Sequence, residues 1–239
     1  LEFHAGTFDM AALTAAPGTT VAFTGGTTSF SGAYTADVTN VSGGTLTTAV
    51  NFNAPAATST TAVLNLSGGS VGGGANGTGP GLVVNGAQPA SWSGGTIAGS
   101  VQLIGNTVRE KGGSGTGTVS DGGLLFNFGT LKLSGGQIAL SSRNATLINV
   151  GTFEFAGDHT VSGPGEFTNI GTVTKTAGTG TATLGAPISD GGHWRVGTGT
   201  LNLNGGGSTG GTMNVDAGAG VLAFDAGGCG GCTFDLAGL

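Results

Sequence analysis

The feature that most constrains this chain is a short motif, Asn-x-Gly-Thr, that recurs at a nearly fixed interval. It begins at Asn127, Asn149 and Asn169, so the spacings are 22 and 20 residues. A period of about 20–50 residues is the signature of proteins built from stacked repeats. The chain must therefore fold as a small unit repeated along its length. Weaker copies place Asn or Asp at the matching position in Asn40, Asn65, Asn85, Asn106, Asp190 and Asp216.

Each repeat contains short stretches in which apolar and polar residues alternate. Leu131-Lys132-Leu133 and Phe153-Glu154-Phe155 follow the motif, and Leu201-Asn202-Leu203 is assigned to the same strand. A further stretch comes next, as in Gln137-Ile138, and Thr212-Met213 is assigned to it. Alternation with period two predicts strands, and a unit this small buries its apolar face only by stacking on its neighbours.

We therefore predict an all-β fold, a single-stranded parallel β-helix (β-solenoid), right-handed, with about ten rungs of roughly 20–25 residues. Asn side chains at one corner are expected to form an amide ladder through successive rungs. The 53 glycines among 239 residues are spread along the whole chain and disfavour long helices. An antiparallel β-sandwich or barrel is the second interpretation, but it does not explain the matched Asn columns.

The domain prediction separates residues 1–17 from the rest of the chain. Residues 1–17 fit the repeat poorly and are expected to form an N-terminal cap or an irregular segment. Residues 18–239 are expected to form the solenoid, and the rung-like stretch Thr233–Leu236 suggests that it continues in the parent protein.

Composition excludes several functions. Six basic residues in a chain of net charge −6 cannot supply the basic patch of a nucleic-acid-binding protein. No stretch approaches the roughly 20 apolar residues of a transmembrane helix. Single, scattered carboxylates do not match calcium-binding repeats, so no metal and no cofactor are expected.

The repeats resemble those of a known class of proteins. Segments such as Gly129-Thr130-Leu131-Lys132-Leu133-Ser134-Gly135-Gly136 are similar to the Gly/Thr/Asn-rich repeats of large secreted bacterial surface proteins, namely autotransporter passenger domains and filamentous-haemagglutinin-like adhesins. The resemblance is one of repeat style, over about residues 20–236. It implies a stalk or adhesive surface that lies outside the cell or on its surface.

Two polar groups are the candidates for chemistry. Asp158-His159 and the run from Asp190 to Arg195, which contains His193 and Trp194, both follow strand ends on different turns. Trp194 and His193 are the candidates for contact with a sugar ring. If the chain is an enzyme, the candidate catalytic residues are Asp158, His159, Asp190, His193 and Arg195. The other interpretation is that these are polar residues of surface turns with no catalytic role.

Other positions carry narrower expectations. Glu154 should align with Lys132 and form an ion pair across one rung. Arg109-Glu110-Lys111 is interpreted as a solvated strand end. Cys229 and Cys232 are expected to form a local disulfide, which suits an oxidising compartment.

A column of outward Thr residues is expected in Thr130, Thr152, Thr172 and Thr200. Flat Thr arrays occur in ice-binding solenoids, where a second Thr column lies two residues further on. Here that second column is predicted to contain Lys132, Glu154, Thr174 and Asn202, and its mixed charge argues against ice.

The sequence thus favours a structural or adhesive segment of a secreted bacterial protein, acting as a rigid spacer or binding surface without catalytic residues. Its expected partners are glycans or extracellular matrix, and open solenoid ends could support end-to-end self-association. The alternative is a polysaccharide lyase or hydrolase, or a glycan-binding module, on a β-helix. An enzyme requires charged side chains from several rungs to converge in a groove.

Overall fold

The computed structural model shows a β-solenoid of stacked parallel strands, as predicted from the repeat. The structure describes residues 1–48, 59–73, 81–105, 108–209, 212–214, 220–225 and 234–235. The regular elements in these ranges are all strands, with no helix. About nine complete turns lie between the short strands at the two ends.

Each turn contributes one strand to each of three stacks. Stack 1 contains Glu2–Phe3 (β1), Thr20–Phe23 (β4), Ala90–Trp92 (β11), Val108–Lys111 (β14), Thr130–Leu133 (β17), Thr152–Phe155 (β20), Thr172–Lys175 (β23), His193–Val196 (β26) and Thr212–Asn214 (β29). Stack 2 contains Thr7–Met10 (β2), Thr27–Phe30 (β5), Thr45–Thr48 (β7), Ser70–Gly73 (β9), Gly95–Ile97 (β12), Thr116–Val119 (β15), Gln137–Leu140 (β18), Thr160–Ser162 (β21), Thr181–Gly185 (β24), Gly199–Leu203 (β27) and Gly220–Phe224 (β30).

Stack 3 contains Leu13–Thr14 (β3), Leu82–Val84 (β10), Ser100–Leu103 (β13), Leu124–Asn127 (β16), Thr146–Asn149 (β19), Glu166–Asn169 (β22), Ile188–Asp190 (β25), Gly207–Thr209 (β28) and Phe234–Asp235 (β31). Two long strands, Tyr34–Val41 (β6) and Ser59–Leu66 (β8), run through the corner between stacks 3 and 1 and belong to both. Every strand pairing between turns is parallel, which excludes the antiparallel alternative for the described chain.

The interior is made of columns in which one side chain stacks on its equivalent in the next turn. Leu147 pairs with Leu125 and Phe167 in stack 3, and Leu184 pairs with Val161 and Leu203 in stack 2. These side chains are fully or almost fully buried. The alternation in the sequence therefore divides each strand into an inward apolar set and an outward polar set.

The predicted amide ladder is present at the corner between stacks 3 and 1. Asn127 Nδ2 donates to Asn149 Oδ1 at 2.8 Å, and Asn149 Nδ2 donates to Asn169 Oδ1 at 2.8 Å. Asn169 Nδ2 then donates to Asp190 Oδ1 at 2.7 Å. The three Asn residues are fully buried, and the ladder supplies the Oδ1 atoms of Asn149 and Asn169 with amide donors from the previous turn.

The Gly of the motif has a steric cause at the same corner. A Cβ added to Gly151 would lie 2.1 Å from the carbonyl oxygen of Gly129, and one added to Gly171 would lie 2.1 Å from that of Gly151. Adjacent corners thus approach too closely for any side chain. This explains why Gly follows Asn by two residues in each clear copy of the motif.

Two sets of weaker repeat assignments are corrected by the structure. Asn40 and Asn65 do pair, with Asn65 Nδ2 donating to Asn40 Oδ1 at 2.9 Å, but they belong to an outward column of stack 1. Leu201–Leu203 lies in stack 2, whereas Thr212-Met213 lies in stack 1. In the turn that contains Leu201–Leu203, the stack 1 strand is β26. Its sequence, His-Trp-Arg-Val, departs from the apolar-polar-apolar pattern seen after the clear motifs.

The first 17 residues take part in the same parallel pairing as the rest of the described chain. Strand β1 pairs with β4, β2 pairs with β5, and β3 pairs with β6. Phe3 stacks on Phe23 with ring centroids 5.1 Å apart, which continues the interior column into this first turn.

The amide ladder gives a test of what holds the corner together. Asn149→Ala should lower the free energy of unfolding by about 1–3 kcal/mol, the cost of leaving a buried polar group without its partner. Asn65→Ala, the same change in the outward Asn pair, should cost less than about 1 kcal/mol. Urea titrations of both variants measure the difference, and equal losses would show that the buried ladder has no special role.

Candidate functional site

The outer face of stack 1 brings together some of the predicted site residues. Along the solenoid, Lys132 pairs with Glu154, Glu154 with Thr174, and Thr174 with Arg195. Two residues earlier in each strand, Thr130, Thr152, Thr172 and His193 form a parallel column. His193 and Arg195 are exposed and project from the same strand, β26.

This register corrects the predicted Thr column. Its fourth member is His193, because Thr200 lies in stack 2 and pairs with Thr181. Asn202 likewise lies in stack 2, and Arg195 takes its predicted place beside Thr174. The stack 1 face is therefore more strongly charged than the sequence suggested.

The carboxylates on this face are held by hydroxyl groups of the next turn. Glu154 Oε1 accepts a hydrogen bond from Thr176 Oγ1 at 2.5 Å, and Glu110 accepts one from Ser134 Oγ. Lys132 and Glu154 are aligned as predicted. The direct ion pairs among the described residues join other groups, and alignment in register is what the structure shows of the predicted pair.

Asp190 and Trp194 point into the solenoid instead of joining this face. Asp190 ends the amide ladder, and its Oδ1 also accepts the Gly192 N–H at 3.1 Å. Trp194 is fully buried and pairs with Val173 of the previous turn. This corrects the expectation that Trp194 stacks on a sugar ring, since its side chain occupies an inward position of an alternating strand.

Asp158 and His159 lie on the turn between stacks 1 and 2, after β20. Asp158 Oδ1 accepts a hydrogen bond from Lys175 Nζ at 2.7 Å, and its Oδ2 accepts the Gly180 N–H at 3.0 Å. The Lys175 ammonium group holds the pKa of Asp158 below its ordinary value, with the Gly180 N–H acting in the same direction and partial desolvation opposing both. Asp158 and Asp190 therefore occupy different corners, and each already has partners.

Lys175 belongs to a group of three buried cations that the sequence analysis did not identify. Its side chain has no exposed surface, and it stacks between Phe155 and Val196 in the interior column. Besides Asp158, its Nζ donates to the carbonyl oxygens of Ala177 at 2.7 Å and Gly178 at 3.2 Å. The sequence held one signal of this burial: Lys175 occupies the position of an alternating strand where the neighbouring turns have Leu133 and Phe155.

Arg109 and Lys111 are the other two buried cations, and they correct the interpretation of Arg109-Glu110-Lys111 as a solvated strand end. Lys111 Nζ donates to the carbonyl oxygens of Gly112 and Gly115, both at 2.9 Å, and to that of Gly135 at 3.3 Å. Arg109 donates to carbonyl oxygens of Val84 and Ile104. Burial lowers the pKa of both side chains. These cations supply donors to carbonyl groups at the corners.

An apolar stripe runs along the corner between stacks 3 and 1. It consists of Phe128, Val150 and Ile170, the variable residues of three successive Asn-x-Gly-Thr motifs, with exposures of 44 %, 38 % and 60 %. We call this set the corner stripe. Phe126 lies beside it, with its ring stacked on that of Phe128 at a centroid distance of 5.9 Å. Exposed apolar residues that are contiguous in this way are typical of interaction surfaces.

A cleft of about 210 Å³ opens on stack 2, and its lining residues, which include Thr45, Ser70 and Gly99, carry no charge. Within the described ranges, His, Cys, Asp and Glu form no group of three that could hold a metal ion. The same ranges contain no helix long and apolar enough to cross a membrane. Cys229 and Cys232, the predicted disulfide, lie outside the described residues.

Comparison with protein-family models, with curated proteins and with solved structures finds no match for this chain. The β-solenoid itself agrees with the fold that the repeat style implies.

The Asp158–Lys175 contact predicts an acid-side effect on stability. Because the pKa of Asp158 is lowered by folding, the stability it contributes is present above its ordinary value of 3.8 and is lost as pH falls through the lowered folded-state value. Asp158→Asn should therefore reduce the melting temperature at neutral pH and flatten its fall at acid pH. Thermal unfolding followed from pH 7 downwards measures this.

Asp121→Asn is the matched control. Asp121 is held by the neutral donors Ser142 and Asn144, which also lower its pKa, but it contacts no buried cation. Asp121→Asn should lower the melting temperature at neutral pH by less than Asp158→Asn does. A pH profile of Asp158→Asn parallel to that of the unmodified protein would contradict the role assigned to the ion pair.

Proposed function

We propose that this chain is a structural and adhesive segment of a secreted or cell-surface bacterial protein. It acts as a rigid rod that holds a binding surface away from its point of attachment. The corner stripe is the observation that carries the proposal, since it exposes three apolar side chains on successive turns at one corner.

Rigidity is supported by the way successive turns are joined. Each turn is bonded to the next through three parallel strand pairings, and the Asn ladder and the buried cations add contacts at the corners. With strands about 4.8 Å apart, nine turns span roughly 40–50 Å. A rod of this kind suits a spacer whose length is set by the number of repeats.

The expected partners are glycans or matrix proteins outside the cell. An apolar stripe flanked by Thr130, Thr152 and Thr172 offers van der Waals contact beside hydroxyl groups, a combination common to binding surfaces with apolar centres and polar rims. A hydrolase, one form of the alternative, requires two carboxylates about 5–10 Å apart. Its candidate carboxylates, Asp158 and Asp190, are held at different corners by separate partners.

The test is binding of the purified chain to a glycan array and to immobilised matrix proteins. Phe128→Ser combined with Ile170→Ser should weaken binding more than about tenfold, because burying one such side chain contributes about 1.5–3 kcal/mol and 1.4 kcal/mol is a factor of ten. Val221→Ser, which removes an exposed apolar side chain from stack 2, should leave binding unchanged.

Circular dichroism of each variant checks that the solenoid is intact. The proposal fails if the unmodified chain binds none of these surfaces, or if the double variant binds as strongly as Val221→Ser.

A further inference from the structure

The outer face of stack 2 differs from the other two faces in carrying almost no charge. Among the stack 2 strands, β2 contains one charged residue, Asp9, and the other ten strands of this stack contain none. The charged side chains of the described strands otherwise lie in stacks 1 and 3. In a chain with 18 charged residues, this face is set apart from the others.

Hydroxyl groups form a continuous column on this neutral face. The register pairs one residue per turn over six successive turns, each of them Thr or Ser: Thr7, Thr27, Thr45, Ser70, Thr96 and Thr118. Their neighbours in each strand, such as Leu46, Val71 and Ile97, are buried, so the column faces outward.

Further columns lie parallel to the first. Ser29 and Thr47 pair two residues later in β5 and β7, and this second column is interrupted at Gly72. On the other side, successive turns from β15 to β27 align Thr116, Gln137, Thr160, Thr183 and Asn202. Thr200, predicted for the charged face, pairs here with Thr181.

The spacing of these groups is fixed in two directions. Parallel strands repeat about every 4.8 Å, and residues two apart in a strand repeat about every 6.6 Å. These two repeats at right angles are close to those of oxygen atoms on the prism face of hexagonal ice. Thr is also stiff about χ1, so each hydroxyl and methyl group has a restricted position.

The absence of charge indicates the kind of partner. Ice excludes ions from its lattice, so a charged surface would hold water that cannot join the crystal. Each Thr hydroxyl both donates and accepts a hydrogen bond and can anchor one lattice water. The register places the aromatic residues of these strands, Phe8, Phe30 and Phe224, on inward columns, which disfavours sugar stacking on this face.

We propose that the outer face of stack 2 binds ice, through the columns that contain Thr27, Thr45, Thr96 and Thr118. The function is separate from binding at the corner stripe, which lies at the opposite corner of each turn. The neutral face matches a neutral crystalline surface in charge. Its hydroxyl groups repeat about every 4.8 Å along the solenoid, and in β5, β7 and β15 they also repeat across the strand.

The experiment grows an ice hemisphere from a dilute solution of the fluorescently labelled chain. The expected result is incorporation of the unmodified chain into the ice, with exclusion of a labelled protein that does not bind ice. Thr96→Tyr combined with Thr118→Tyr places bulky rings on paired positions of the face and should abolish incorporation.

The matched control is Thr152→Tyr combined with Thr172→Tyr, the same substitutions at paired, half-buried positions of stack 1. It should enter the ice as the unmodified chain does, and circular dichroism confirms that both variants fold. Inhibition of ice recrystallisation supplies a second readout with the same expected order.

Three outcomes would overturn the proposal. One is exclusion of the unmodified chain from ice. Another is equal incorporation of the two double variants, which would mean that another surface is responsible. The third is binding to insoluble cellulose or chitin, lost in Thr96→Tyr/Thr118→Tyr, without incorporation into ice; this would make the face a polysaccharide surface.

Discussion

The structure depends on parallel hydrogen-bonded pairing of each strand with the equivalent strand one turn away. This pairing fixes the register residue by residue, so that every inward position faces the same position in the next turn. A side chain is therefore accepted at an inward position when it can stack on its neighbours in the column. Asn149 and Asn169 satisfy this condition because each amide accepts from the previous turn and donates to the next. Glycine satisfies it at the adjoining position because the corners almost touch.

The buried cations show how the same columns tolerate charge. Lys111 and Lys175 pass through an apolar column with their methylene chains and reach corner carbonyl groups with their ammonium groups. A buried charge without partners would be strongly unfavourable, and these charges are surrounded by oxygen acceptors. The two differ in that Lys175 also has a carboxylate partner, Asp158, which lies partly exposed at the surface. The two buried ammonium groups are thus hydrogen-bonded at the corners of the solenoid.

Three regions of the outer surface differ in chemical character. Stack 1 presents alternating charge with Thr and His, the corner between stacks 3 and 1 presents the apolar corner stripe, and stack 2 presents neutral hydroxyl groups. A solenoid permits this division because the outward residue of a strand has little influence on packing inside. The outer columns can therefore vary in composition while the inner columns stay constrained.

The sequence by itself determined the repeat, the β-solenoid and the Asn ladder from Asn127 to Asp190, because these follow from a period and from residue types that recur in register. It did not determine which strand belongs to which stack once the motif weakened, as the misplacement of Thr200 and Thr212 shows. Nor did it show which side chains of a polar run point into the solenoid and which point to solvent. Trp194 and Asp190 lie inside, whereas His193 and Arg195 lie outside. Lys111 and Lys175 are also buried. Those distinctions required tertiary structure, since burial of a Lys or exposure of a Thr depends on which neighbours the next turn supplies. A one-residue shift in phase reverses every side chain of a strand, and only the pairing between turns fixes that phase.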